Sequence, residues 1–323
     1  MTRRGAEGQP GFLLAILIFL ALALATWFCY VPAPFDGGVG IWLSASVFSH
    51  LSPIMSWLSA VGLILLTALI AITFNRSFSV VPGTSIVYSS IYLIACAAQP
   101  IVTYRLSASS LLAPAALIGV WLLCNGVGKR RAPAECFLLA AMLSAGSMIH
   151  YSFAMLVPLF LLCALSSKVM RFRELIAFML GVAAPYWIAL GLGLVSLQEL
   201  NIPPMCRFYP ADYDKTDFLL TIIMAGTTGL LYVICTLLQA VQLYSANARY
   251  RAYYSIFNML GFGTLVLMAV DFGNFASYIG ILNIVMAFSA AALLRRSKAK
   301  STWPPLLTGA AAYIAFYVFL IQL

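Results

Sequence analysis

"KRRAPAECFLLAAMLSAGSMIHYSFAMLVPLFLLCALSSKVMRFR", residues 129–173, decides how the rest of the chain folds. A basic triplet opens it and a second basic group closes it, with the apolar residues 134–167 in between. In membrane proteins Lys and Arg collect in the cytoplasmic turns. Both flanks therefore belong on the same side, and an even number of crossings must separate them. Two short helices turning near Met148–Ser152 satisfy that condition, and short or tilted helices are tolerated at modest cost. One long helix over 134–167 is the alternative, and it inverts every segment that follows.

The rest of the chain explains why a membrane frame is right. Only 8% of the 323 residues are charged and 63% are hydrophobic, against about 25% charged in average soluble chains. The mean hydropathy is +1.00. In hydrocarbon every backbone N–H and C=O has to be paired within its own segment, so apolar runs of this kind must be helices. Runs fall at 11–31, 52–74, 84–102, 110–126, 134–149, 152–167, 175–195, 218–244, 256–272, 276–294 and 306–323. A crossing takes about 20 residues, so the reading is an all-α, polytopic transmembrane bundle of about eleven helices. It forms a single integral membrane domain over 1–323. The first run is longer than the h-region of a signal peptide and reads as an uncleaved first helix.

The net charge of +9 does not point to nucleic acid, because the basic residues are short clusters between apolar runs. Crossing at every run puts Arg3/Arg4, Arg76, Lys129–Arg131, Lys168/Arg171/Arg173, Arg249/Arg251 and Arg295/Arg296/Lys298/Lys300 on one side. Only Arg105, Arg207 and Lys215 fall on the other. The expected orientation is N-terminus cytoplasmic and C-terminus outside, in a bacterial inner membrane. Residues 196–217 then form the longest outer loop, and "NIPPMCRFYPADYDKTD", 201–217, reads as a structured cap rich in Pro, Tyr and charge. Small residues at four-residue spacing, Ala141/Ala145 and Ala189/Gly193, suit close helix packing.

Chemistry, if present, belongs on the outer side. Asp36, His50, Arg105, His150, Arg207, Asp212 and Asp271 all fall at outer helix ends, with Tyr151 beside them. Asp36 lies in a Pro/Gly turn, and residues 40–50 read as a helix lying in the interface. Turns favour Asp and Gly in any case. A metal site from Asp36, His50, His150 and Asp212 has no fixed spacing to support it, and no cofactor is implied. The cysteines lack CxxC pairs; a Cys29–Cys206 disulfide needs both on the oxidising side. "DFG" at 271–273 has no kinase context, and the sequon "NRS" at 75–77 falls on the cytoplasmic side. Ion-coupled transport usually places ionisable groups mid-membrane. Here the interior groups are mild, among them Asn258, Asn283, Gln239 and Gln242, which leaves facilitated passage open.

Two resemblances add to this reading. The acid in the first outer loop followed by an interfacial helix, "VPAPFDGGVGIWLSASVFSHLSP", resembles the GT-C class of membrane glycosyltransferases. That resemblance implies a polyprenyl-phosphate sugar donor, with Asp36 as the base that deprotonates the acceptor. Arg105, His150 and Arg207 would be the phosphate partners, with Asp212 nearby at the substrate. The block "KRRAPAECFLLAAMLSAGSMIHYSFAMLVPLFLLCALSSKVMRFRELIAFMLGVAAPYWIALGLG" resembles an uncharacterised family of multi-pass inner-membrane proteins from Bacteroidota. It implies fold type and location and no activity. The carotene monooxygenase label of some members needs four iron-binding histidines, and this chain has His50 and His150. The functional expectation is a non-catalytic component of envelope assembly or export, in contact with membrane lipids and other envelope proteins. A polyprenyl-phosphate glycosyltransferase and a transporter are the alternatives.

Overall fold

The computed structural model describes residues 9–29, 40–41, 48, 50–80, 85–196, 215–243 and 247–296. These residues hold eleven helices and no strand. They are α1 (Gln9–Cys29), α2 (Pro53–Phe78), α3 (Ser85–Ala97), α4 (Pro100–Thr103), α5 (Leu112–Gly126) and α6 (Pro133–Ile149), then α7 (Ser152–Ser166), α8 (Phe172–Gly191), α9 (Lys215–Leu243), α10 (Ala248–Val270) and α11 (Ile279–Arg296). Short 3-10 turns at Ala108–Leu111 and Phe272–Tyr278 lead into α5 and α11. Six segments are long and apolar enough to cross a membrane: Pro53–Phe78, Ser109–Gly126, Phe172–Gly191, Phe218–Ala240, Ala248–Val270 and Phe272–Leu294. The protein is an all-α integral membrane bundle.

Residues 134–167 form the hairpin. His150 takes an extended backbone, φ −148° and ψ 125°, and stops α6. Gly146 packs on the ring of Phe153, and Gly119 of α5 packs on both Phe160 and Leu139. Positions 146/153 and 139/160 are therefore level with each other, so α6 and α7 run antiparallel. The basic flanks return to the same end, where Arg171 Nη1 donates to the Arg130 carbonyl at 3.3 Å. The backbone N–H of Ala132 donates to Glu174 Oε1 at 3.2 Å.

The same alternation continues through the bundle. α6 and α8 lie parallel: Gly181 meets the Phe137 carbonyl and Ala140, Ser144 donates to the Val182 carbonyl at 2.6 Å, and Ser147 bonds Tyr186. Small residues let these two backbones approach. The close contact uses Ala140, Ala141 and Gly181, so Ala141 of the expected pairs Ala141/Ala145 and Ala189/Gly193 takes part in it. α7 and α10 are antiparallel, with Gly263 on Leu159 and the Cys163 thiol donating to the Ile256 carbonyl at 3.8 Å. α11 fills the centre. Its span is 78% buried, against 22% for the span of α8, and Phe288 stacks on Phe257 of α10 with ring centroids 3.8 Å apart. Outward faces carry Leu13, Leu17, Leu58, Trp187, Leu230 and Leu237, all exposed. An apolar exterior around a packed interior is what lipid as solvent allows.

Three boundaries differ from the sequence expectation. The run 84–102 is not one helix: α3 ends at Ala97 and Gln99 is extended, φ −124° and ψ 94°. Pro100 has no N–H to continue the ladder, and it starts α4 instead. α9 begins at Lys215 and α10 at Ala248, earlier than the apolar runs, because polar and aromatic residues prolong a helix into the headgroup zone. The run 306–323, most of the segment 40–50 and residues 201–214 of the expected cap lie outside the described residues, as does Cys206, while Lys215–Asp217 belong to α9 and not to a loop. Cys96, Cys124, Cys136 and Cys163 are buried free thiols, and Cys235 is a half-buried one.

Candidate functional site

The best-formed polar site sits where the α6–α7 and α10–α11 turns meet. Asp271 follows α10 and donates its N–H to the Leu267 carbonyl at 2.8 Å. Its carboxylate is 2% exposed and accepts three hydrogen bonds. Oδ2 accepts from the Tyr151 hydroxyl at 2.6 Å and from the Tyr278 hydroxyl at 3.1 Å. Oδ1 accepts from the Asn274 amide at 3.1 Å. No cation pairs with it among the described residues. Among the described residues its donors are all neutral, and they come from two separate hairpins.

His150 is fully buried. Its Nδ1 accepts the Ser152 N–H at 3.2 Å, so the ring caps the start of α7. That role leaves the proton of the neutral ring on Nε2, which has no partner among the described residues. The ring stacks on Tyr151 with centroids 5.3 Å apart and planes 18° from parallel. Burial pushes its pKa down to about 4, so the ring is neutral near pH 7. Burial also raises the Tyr151 phenol, as does the hydrogen bond to Asp271, so Tyr151 remains a donor. The site can hold helices together and offer an Nε2–H.

The loop after α1 reaches this site. Ile41 donates its N–H to the Ser147 carbonyl at 3.1 Å, and Gly40 lies against the Met148 carbonyl, where no side chain would fit. Asp36, Arg207 and Asp212 lie outside the described residues. Arg105 and His50 are exposed, and no hydrogen bond joins Arg105 to His150 among the described residues. Of the sequence candidates, the structure brings together His150, Tyr151 and Asp271. Trp27 stacks on Tyr104 and packs against Trp57 at the same end, with centroids 5.6 Å apart in each pair.

Two features escaped the sequence reading. Gln99, at the break after α3, donates to Thr228 Oγ1 at 3.1 Å and accepts from the Asn283 amide at 2.7 Å. This tie joins α3, α9 and α11 inside the bundle; amide residues in otherwise apolar runs were its only signal. A cavity of about 40 Å³ lies between α2, α4, the 107–110 turn and the Phe272–Tyr278 turn. It is lined by Thr67, Tyr92, Ser107, Ser109, Ser110 and Ser277 together with apolar side chains. Its volume fits one or two waters, whose share of liquid volume is about 30 Å³ each.

Among the described residues no group of three or more His, Cys, Asp or Glu side chains could hold a metal ion. Comparison of the chain with protein-family models, with curated proteins and with solved structures found no match, so the site stands on its own geometry.

Proposed function

We propose that this is a multi-pass protein of a bacterial inner membrane, with a cytoplasmic N-terminus, that serves as a non-catalytic component of envelope assembly or export. The observation that carries this reading is the use made of the buried ionisable groups. Asp271 and His150 are both spent on structure: one ties α7 to the α10–α11 turn, and the other caps α7. The orientation follows from fifteen of eighteen Lys and Arg residues falling at one set of helix ends. Reporters active only outside the cytoplasm are expected to work when fused near Arg207 and to fail near Arg130. The reverse pattern at both sites would overturn the orientation.

A second reading draws on the contact of Gly40 and Ile41 with the end of α6. It has the first outer loop bring Asp36 toward His150, as an enzyme acting on a polyprenyl-phosphate sugar at the outer face requires. Asp36 would take the proton of the acceptor hydroxyl, and Arg105 and Arg207 would stabilise the departing phosphate, with Asp212 on the acceptor. His150, being neutral, would contribute its Nε2–H and no charge. Profiling lipid-linked sugars in a deletion strain separates the two. Accumulation of one lipid-linked donor, reproduced by D36N at normal protein level, selects the enzyme. An unchanged profile with loss of an envelope assembly selects the structural component.

A further inference from the structure

At the end of the bundle that carries the basic turns, three turns converge. Arg171 reaches from the α7–α8 turn to the Arg130 carbonyl at 3.3 Å. Arg249, at the start of α10, lays its guanidinium beside Gly128, which adopts φ +81°. Residues 126–132 are thus flanked by guanidinium groups from two other turns, and they contribute Lys129, Arg130 and Arg131 themselves.

The two described acids at this end are already engaged. Glu135 pairs with Lys129, and buried Glu174 accepts the Ala132 N–H. Among the described residues Arg130, Arg131, Arg171, Arg173, Arg249 and Arg251 form no ion pair, and all six are exposed. These groups carry like charge with no described counter-ion, and an anion among them relieves their mutual repulsion.

The surface next to the arginines is apolar. Phe172 stands between Arg171 and Arg173 and is 77% exposed. Ile176, Met179 and Leu180 continue the same face of α8, all exposed, at the i, i+4, i+7, i+8 spacing of one helical stripe. A cationic cluster that passes directly into a lipid-facing stripe has the outline of an anionic phospholipid. Guanidinium groups bind phosphate oxygens in bidentate fashion, and acyl chains lie along the stripe.

We propose that Arg130, Arg171 and Arg249 form a binding site for the headgroup phosphate of an anionic diacyl phospholipid, seated with its chains along α8. The site requires no assumption about what the outer end does.

The test is native mass spectrometry of the full-length protein in neutral detergent, with phosphatidylglycerol and phosphatidylcholine of matched chains as probes. Phosphatidylglycerol is expected to be retained and phosphatidylcholine released. The variant R130Q/R171Q/R249Q is expected to weaken phosphatidylglycerol about a hundredfold, at roughly fivefold per charge near an anionic lipid surface. R76Q, at the end of α2, should leave retention unchanged. If the triple variant does not fold, R171Q alone carries the test with about a fivefold loss. Equal retention of the two lipids refutes the proposal, as does wild-type affinity in the arginine variants. Ready displacement of phosphatidylglycerol by inorganic phosphate would assign the cluster to a free anion, and retention of neither lipid would assign it to another acidic partner; either result overturns the phospholipid site.

Discussion

Replacing Tyr151 by Phe removes one hydroxyl and little else. The ring keeps its stack on His150, and Asp271 Oδ2 keeps the bond from Tyr278. What is lost is the 2.6 Å bond between Tyr151 and Asp271. A hydrogen bond to a charged acceptor contributes about 1.5–3 kcal/mol in soluble proteins. Interhelical bonds in membrane proteins average about 0.6 kcal/mol and reach about 1.7. The acceptor here is a carboxylate and the bond from the phenol is short, so a value of about 1.5 kcal/mol is expected, at the top of the membrane range. Asp271→Ala costs more, because it leaves two buried phenols without an acceptor at about 1–3 kcal/mol each. The measurement is a double-mutant cycle on Y151F and D271A. Unfolding in mixed micelles of rising sodium dodecyl sulfate content is followed by the fluorescence of the six tryptophans. A coupling within about 0.5 kcal/mol of zero, with Y151F unfolding like wild type, would falsify the claim that this bond joins the two hairpins.

The His150 ring has a folded-state pKa of about 4, below the ordinary value of about 6.5. The unfolded state therefore binds the proton first: stability is complete above about pH 6.5 and falls as the pH drops toward 4, by up to ~3 kcal/mol. His150→Asn keeps an acceptor for the Ser152 N–H and should flatten that part of the pH profile; an unchanged wild-type slope would mean the ring is not the titrating group. Gly181→Ala puts a methyl into the Phe137 carbonyl and should cost about 1–3 kcal/mol by overpacking. Gly62→Ala, with nothing within 4 Å of the new atom, should be neutral or stabilise by up to about 1 kcal/mol through helix propensity, and the two variants exchange ranks only if the α6–α8 contact is misplaced. Asn283→Leu should cost about 0.6–1.7 kcal/mol, and little of that should remain when Gln99 is already Leu.

The all-α character and the hairpin alternation of the described helices were legible in the sequence because charge is expensive in hydrocarbon. Lys129–Arg131 and Lys168–Arg173 had to share a side, and that requirement placed a turn at His150–Tyr151, where the structure has it. The grouping of His150, Tyr151 and Asp271 at one end followed from the same alternation. Their bonding did not. Tyr151 and Asp271 are 120 positions apart, and their contact depends on α7 packing against α10, which no periodicity in either run announces. Gln99 illustrates the converse case: Pro100 marks a helix break in plain view, yet the apolar run continues through it to Val102, and hydropathy outweighed the proline. The cavity serines come from two distant turns and were invisible as a group for the reason that Tyr151 and Asp271 were.

The central place of α11 has a consequence for biosynthesis. The ribosome delivers α3, α5, α9 and α10 to the bilayer before the helix they all surround. Until α11 arrives, Gln99 and Thr228 face a space without Asn283, and Phe257 lacks the ring it stacks on. The earlier helices must wait as a loose set in lipid, with the Gln99 amide held to the Thr228 hydroxyl. Closure of the described bundle is therefore a late event, and a chain stopped at Tyr278 should be recognised by quality-control proteases as an unfinished one.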